Sequence, residues 1–307
     1  MRKFRLFFIS LFSLILFMSV FLQDVSSQNN DFSTDFDLSI FNEQNQKKAK
    51  NDSKREIKKL IHRMTKYVNS CNANGIEQLL SDSYVNNDGF DKKSYIETVK
   101  DFWTLYPGMK HSVKIKSIHV NGDWAKVLIS SELVGRLSSS LNDIEKDGVI
   151  KSVSDSVLFL NRYGAEWKIQ SEFMTNEKLV LAYSDAQLLD INLTSSPLVA
   201  QNSEYNAKLN VVAPQRFVIF ASVDNGELEN PKKIENVTFK TLAHDGTLER
   251  IVRANAEGKN EFLLSSIVVT EPSVSKDSEI TIKIKGVAYI MSRVNVVSSS
   301  KRDSEQI

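Results

Sequence analysis

Cysteine is nearly absent from this chain, and the total charge is close to neutral. The single cysteine, Cys71, excludes an intramolecular disulfide, so burial of apolar side chains has to hold every domain together. Lys and Arg number 39 and Asp and Glu number 38, so neither sign of charge dominates. A balanced surface exerts no long-range attraction on nucleic acid, and the composition therefore argues against a nucleic-acid partner.

Recognisable catalytic and metal-binding motifs are also missing. The sequence has no Gly-rich phosphate loop and no Ser-centred nucleophile elbow. The four histidines are scattered. His111 and His119 are separated by about 25 Å along an extended strand, so they cannot ligate one metal ion. The sequence therefore predicts neither a metal site nor a cofactor.

The first 27 residues have the order of a secretory signal peptide. Three basic residues within the first five precede an apolar run, Leu6–Leu22, and Val25-Ser26-Ser27 offers a cleavage site. The apolar run is alternatively just long enough to serve as an uncleaved membrane anchor. Both alternatives predict that residues 28–307 lie outside the cytoplasm and contact a membrane only through the N-terminal segment.

Periodicity and composition divide the rest of the chain. From Asp52 apolar residues recur at helical spacing, and beyond Pro107 the period changes to two, as in strands. From Leu188 short alternating segments between turn residues predict seven or eight strands. The predicted segments are a signal peptide or anchor (1–27), a disordered spacer (28–51), an α+β domain (52–177), a helical or irregular bridge (178–187), an all-β sandwich (188–297) and a polar tail (298–307).

The predicted fold class is α+β, with three helices packed on one face of a curved antiparallel sheet, followed by an all-β domain. Residues 52–175 resemble the nuclear transport factor 2-like family, within the SnoaL-like or cystatin-like α+β group. The resemblance rests on a long helix ending in Cys71-Asn-Ala-Asn-Gly-Ile76, a short helix followed by Tyr84-Val85, and the hairpin Asn161-Arg-Tyr-Gly-Ala-Glu-Trp-Lys-Ile169. The all-β segment resembles an immunoglobulin-like sandwich without its disulfide.

The first resemblance implies a cone-shaped pocket between the sheet and the helices. Some members of that group, such as ketosteroid isomerases and dehydratases, place an Asp or His there as a proton-transfer base, whereas others bind a ligand or partner without catalysis. The residues predicted to line such a pocket are Tyr84, Trp103, Tyr106 and Phe173.

Asp155 is the candidate base. Its predicted strand face also carries Val153, Val157 and Phe159, and burial among apolar groups raises the pKa of a carboxyl group. Strand register alternatively places Asp155 at a sheet edge, paired with a lysine.

The sequence favours a non-enzymatic binding protein that works outside the cytoplasm. In this hypothesis the pocket or the open sheet face holds a small apolar ligand or a protein, and the sandwich serves as a presentation module. One alternative is a SnoaL-like isomerase or dehydratase that uses Asp155. Another is a homodimer that forms through the open sheet face.

Overall fold

The computed structural model describes residues 38–137, 148–227, 238–243, 245–274 and 280–297. The predicted signal peptide or anchor and the polar tail lie outside these ranges. Within them, no helix is both long enough and apolar enough to cross a membrane.

The described residues form three helices and thirteen strands. The helices are α1 (Leu38–Asn69), α2 (Ala73–Leu79) and α3 (Lys92–Leu105). The strands are β1 (Leu80–Asn86), β2 (Lys110–Asn121), β3 (Trp124–Leu137), β4 (Gly148–Tyr163), β5 (Glu166–Ser184), β6 (Asp190–Thr194), β7 (Leu198–Ala200), β8 (Glu204–Val212), β9 (Val218–Glu227), β10 (Lys240–Thr241), β11 (Thr247–Arg253), β12 (Glu261–Val274) and β13 (Ile280–Val297). We call α1–α3 with β1–β5 the helical half, and β6–β13 the all-β half.

Helix α1 begins at Leu38, well before the predicted start near Asp52. The prediction of a disordered spacer over residues 28–51 is therefore wrong for residues 38–51. The side chains of residues 46–52 are exposed and, apart from Ala49, polar, so these residues form no apolar stripe in the sequence. The segment is nevertheless continuous with the packed part of α1, which buries Ile57, Leu60 and Ile61. We attribute its helical state to this continuity and to its helix-favouring Lys and Gln residues.

One sheet runs through both halves of the molecule. Its strand order is β10-β9-β12-β13-β5-β4-β3-β2, and β1 adds to β5 in parallel. The predicted bridge over residues 178–187 is wrong for most of its length, because β5 continues to Ser184 and pairs with β13 over residues 178–184. A 3-10 turn, Asp185–Leu188, follows β5. Gly286 lies against this turn, where an added Cβ would come within 2.4 Å of the backbone nitrogen of Ala186.

The layers that cover this sheet lie on opposite faces. Helices α1–α3 cover one face of β2–β5, where their apolar side chains pack with Ala125, Val127 and Ile129 of β3. The three-stranded sheet β11-β8-β6 covers the other face of β9, β12 and β13. Strand β5 contributes to both sides, since Leu181 packs with α3 residues and Ala182 with the all-β core. Helices on one face of an antiparallel sheet agree with the predicted α+β class; the immunoglobulin-like sandwich stays a prediction.

Candidate functional site

The interior between the helices and the sheet is packed around the residues predicted to line a pocket. Tyr84 is buried, and its ring centre lies 5.3 Å from that of Tyr95. Trp103 and Tyr106 are half-buried and pack with Phe102 and its apolar neighbours on β4 and β5. The structure thus brings three of the four predicted residues to the helix-covered face, where they fill space.

Phe173 lies on the opposite face, so its assignment to the pocket is wrong. The cause is a bulge in β5, where the register shifts between Ile169 and Ser171. Trp167 and Ile169 before the bulge point to the helices, but after it Glu172 and Met174 take the buried face. Strict alternation through the bulge would instead have put Phe173 with Trp167.

Asp155 also lies on the uncovered face. It shares that face with Val153, Val157 and Phe159 as predicted. The side chains that β4 buries are those on its opposite face. Its carboxylate accepts a 2.6 Å hydrogen bond from Lys116 Nζ. Partial burial alone would raise the pKa of Asp155, but hydrogen bonds from Lys116 and Ser130 and the Lys116 charge outweigh it and lower the pKa. The expectation of a raised pKa is wrong. The lysine partner of the alternative is present, but Asp155 lies on β4, an interior strand between β3 and β5, and not at a sheet edge.

A buried ion pair, which the sequence did not predict, joins the two halves. Arg293 of β13 is 1% exposed, and its Nη2 donates to Asp88 Oδ1 over 2.7 Å. Asn260 Nδ2 donates to the same carboxylate at 3.1 Å and to the carbonyl of Asn87 at 2.9 Å. Asn295 accepts from Arg293 Nε at 2.8 Å. We call these five residues the polar junction.

The polar junction ties the loop after β1 to β5, to β13 and to Asn260, the residue before β12. Asn87 binds the backbone of Met174 in β5, accepting from its N–H at 2.6 Å and donating to its carbonyl at 3.3 Å. Asn260 accepts from the backbone N–H of Val296 in β13 at 3.0 Å. A buried charge without its partner is costly, so these contacts fix how the two halves meet.

Two further buried carboxyl groups, Glu172 and Glu177 of β5, lie near this junction. Burial raises the pKa of Glu172 to about 8; the charges of Glu177 and Asp88 add to this, while a hydrogen bond from Ser156 and the charge of Arg293 oppose it. Burial likewise raises the pKa of Glu177 to about 7. Both groups are therefore largely protonated in the folded protein at mildly acidic pH.

Several polar atoms of this region have no hydrogen-bond partner among the described residues. They are the Tyr84 hydroxyl, Asn86 Nδ2 and Glu177 Oε2. A carboxyl group with a pKa near neutrality, close to a buried tyrosine, has the ingredients of a proton-transfer site. Glu172 and Tyr84 are, however, only 6% and 2% exposed, so the groups are not open to a substrate in this conformation.

The described residues contain no group of three or more His, Cys, Asp or Glu side chains that could hold a metal ion. His111 is largely buried, and burial lowers its pKa to about 4. His244 lies outside the described residues.

The uncovered face of β3, β4 and β5 carries several apolar side chains that face solvent. Its centre is a row of half-buried apolar side chains, Leu128, Val157 and Phe173, which are neighbours across the three strands. Around this row lie exposed apolar residues: Val153, Phe159, Trp124, Val134 and Tyr163. Two ion pairs cross the same face, Lys116–Asp155 and Lys151–Glu132. We call this surface the open face.

Solved structures similar to this chain match about two fifths of it. A putative scytalone dehydratase from Novosphingobium aromaticivorans is 16% identical, with a TM-score of 0.35, over 42% of this chain and 86% of its own. A putative dehydratase of the NTF2-like family from Streptomyces avermitilis is 11% identical, with a TM-score of 0.34, over 40% and 95%. An NTF2-like superfamily protein from Salmonella enterica serovar Typhimurium is 14% identical, with a TM-score of 0.33, over 41% and 91%.

The last two of these neighbours are described as NTF2-like. Identities and TM-scores this low carry no residue's role from them to this chain. No protein-family model and no curated protein matches the sequence.

Proposed function

We propose that this protein is a non-enzymatic interaction protein that works outside the cytoplasm and binds a second copy of itself through the open face. The observation that carries this proposal is the apolar character of that face. Phe159, Trp124 and Tyr163 are 37%, 49% and 47% exposed on one side of the sheet. Aromatic residues on a contiguous apolar surface are typical of protein–protein contacts.

A second copy suits the charges of the open face. Lys116 and Lys151 are balanced there by Asp155 and Glu132. A two-fold axis places the same patch on both partners, so a patch with one dominant sign would repel its copy. A patch with alternating signs can exchange ion-pair partners across the interface without this repulsion.

The buried carboxyl groups support a non-enzymatic role, because Asp88, Glu172 and Glu177 are only 5%, 6% and 7% exposed and none is open to a substrate. Asp88 serves the junction with Arg293, and Glu172 and Glu177 lie in the same buried region. The all-β half then acts as an immunoglobulin-like presentation module, held at a fixed orientation to the open face. The signal-like order of residues 1–27 supports export, by cleavage or as an anchored protein.

Replacing Phe159 with aspartate is expected to weaken self-association at least about tenfold, because a charge would be buried within the interface. Native mass spectrometry and sedimentation equilibrium of the purified protein measure this. Ile251→Asp is the matched control, since Ile251 is an exposed apolar residue of β11, away from the open face. A wild-type protein that stays monomeric at high concentration, or equal effects of the two variants, would overturn the proposal.

A second candidate function, a SnoaL-like isomerase or dehydratase, is favoured by the raised pKa of Glu172 beside Tyr84 and Tyr95. In this alternative Glu172, rather than Asp155, exchanges the proton. The same native mass spectra separate the two functions. An enzyme with an occupied pocket would carry a small-molecule mass that Glu172→Ala removes, whereas an interaction protein shows the mass of the polypeptide alone.

A further inference from the structure

Helix α1 is strongly positive, although the net charge of the whole chain is close to zero. It contains nine Lys and Arg residues against three Asp and Glu residues, a formal charge of +6. The whole chain carries +1, so the other residues together carry −5. The molecule is therefore electrically asymmetric, and α1 lies on the face of the sheet opposite the open face.

The basic residues of α1 are arranged in two adjacent rows with a spacing of four residues. One row is Lys50, Lys54, Lys58, His62 and Lys66, and the other is Arg55, Lys59 and Arg63. All except Lys54 are exposed. Among the described side chains, an acidic partner is found only for Arg55, which lies 3.5 Å from Asp52. Like charges at this spacing destabilise a helix, so helix stability does not account for the rows.

The rows border an open groove between α1 and the turn that joins β4 to β5. The groove has a volume of about 640 Å³. On the helix side it is lined by Lys58, Lys59, His62 and Arg63, and on the other side by Ala165-Glu166-Trp167. Concave sites of this size are typical of ligand binding.

A further cation supports the wall of the groove. The Arg162 guanidinium lies 5.2 Å from the ring centre of Trp167 and binds Glu56 Oε2 at 2.5 Å. Glu56 is thereby neutralised by a cation outside the two rows. The positive charge of Lys58, Lys59 and Arg63 therefore stays available to an anionic ligand.

We propose that α1 and this groove bind an acidic polysaccharide, a sugar chain that carries repeated sulfate or carboxylate groups. Rows of cations at regular spacing suit a chain of repeated anions, and the polar groups of Glu56, Glu166 and His62 can bind sugar hydroxyls. The predicted position outside the cytoplasm agrees with such a ligand.

Two other polyanions fit less well. The apolar residues of the packed part of α1, including Ile57, Leu60 and Ile61, are buried in the core, so this part has no free apolar face to enter a bilayer. Trp167, the aromatic residue of the groove, is buried and offers no platform on which nucleic-acid bases could stack.

The test is equilibrium binding of the purified protein to heparin, to polygalacturonate, to double-stranded DNA and to phosphatidylglycerol vesicles at physiological ionic strength. We expect saturable binding to heparin, weaker binding to the less densely charged polygalacturonate, and weaker binding still to DNA and vesicles. The triple variant Lys58→Glu, Lys59→Glu, Arg63→Glu should lose heparin affinity at least about tenfold, and its log–log salt slope should be shallower by about 2.

The matched control is the triple variant Lys208→Glu, Lys240→Glu, Lys283→Glu, which makes the same total charge change at exposed lysines of the all-β half, away from both the groove and the open face. It should change heparin affinity less than about twofold. The proposal is overturned if neither polysaccharide binds, if DNA or vesicles bind more tightly than heparin, or if the two triple variants lose affinity equally. Circular dichroism confirms that each variant is folded.

Discussion

Replacing Arg293 with methionine is expected to lower the free energy of unfolding by about 3 to 5 kcal/mol. The change removes the guanidinium but leaves the Asp88 carboxylate buried without its ionic partner. It also removes the hydrogen bond to Asn295. Urea unfolding followed by circular dichroism measures the loss as a lower midpoint at an unchanged slope.

Arg253→Met provides the comparison for Arg293→Met. Arg253 binds Glu204 at the same distance, 2.7 Å, but both side chains of that pair are exposed. Its loss should cost less than about 1 kcal/mol. The double variant Asp88→Asn, Arg293→Met should recover part of the stability, because it leaves no unpaired charge. Equal losses for Arg253→Met and Arg293→Met would contradict the assigned role of the polar junction.

The protein is expected to become less stable as the pH rises from about 4.5 to 8. Glu172 and Glu177 have pKa values of about 8 and about 7 in the folded protein, above their ordinary 4.5. Between these values the folded state binds more protons than the unfolded state, so the free energy of unfolding falls with increasing pH. Each carboxyl group contributes a slope of up to about 1.4 kcal/mol per pH unit.

Urea unfolding at a series of pH values tests this dependence. Glu172→Gln keeps the size of the side chain but cannot ionise, so it should reduce the slope and make the protein more stable than the wild type at pH 8. Glu166→Gln, an exposed position on the same strand, should leave the slope unchanged. A wild-type stability that is constant or rises over this pH range would contradict the burial of the two carboxyl groups.

The helical half was largely predictable from the sequence because its elements have clear periods. The helix at Lys92–Leu105 begins after Asp91, whose carboxylate accepts from the Ser94 N–H, and a two-residue turn, Gly122-Asp123, joins β2 to β3. The first part of α1 was not predictable by periodicity, because residues 46–52 are exposed and, apart from Ala49, polar. Its unusual density of lysines was nevertheless visible in the sequence.

The residues of the site were harder to predict, for two physical reasons. The bulge in β5 reverses which side chains face the helices. Strict alternation therefore predicts Phe173 on the helix-covered face, where the structure has Glu172. The polar junction joins Asp88 to Arg293, two residues 205 positions apart, and no local pattern connects them. The sequence feature that points to this pair is Arg293, which lies among apolar residues near the end of β13. A buried arginine requires a carboxylate partner.

The central claim is that the helical half and the all-β half form a single unit, joined by β5–β13 pairing and the polar junction. Its most direct test is urea unfolding of the wild-type protein, followed with two probes. All three tryptophans, Trp103, Trp124 and Trp167, lie in the helical half, so their fluorescence reports on that half. Far-ultraviolet circular dichroism reports on both halves. The structure predicts coincident transitions with one midpoint. Fluorescence and circular dichroism transitions with separate midpoints would contradict it, because the halves would then unfold independently.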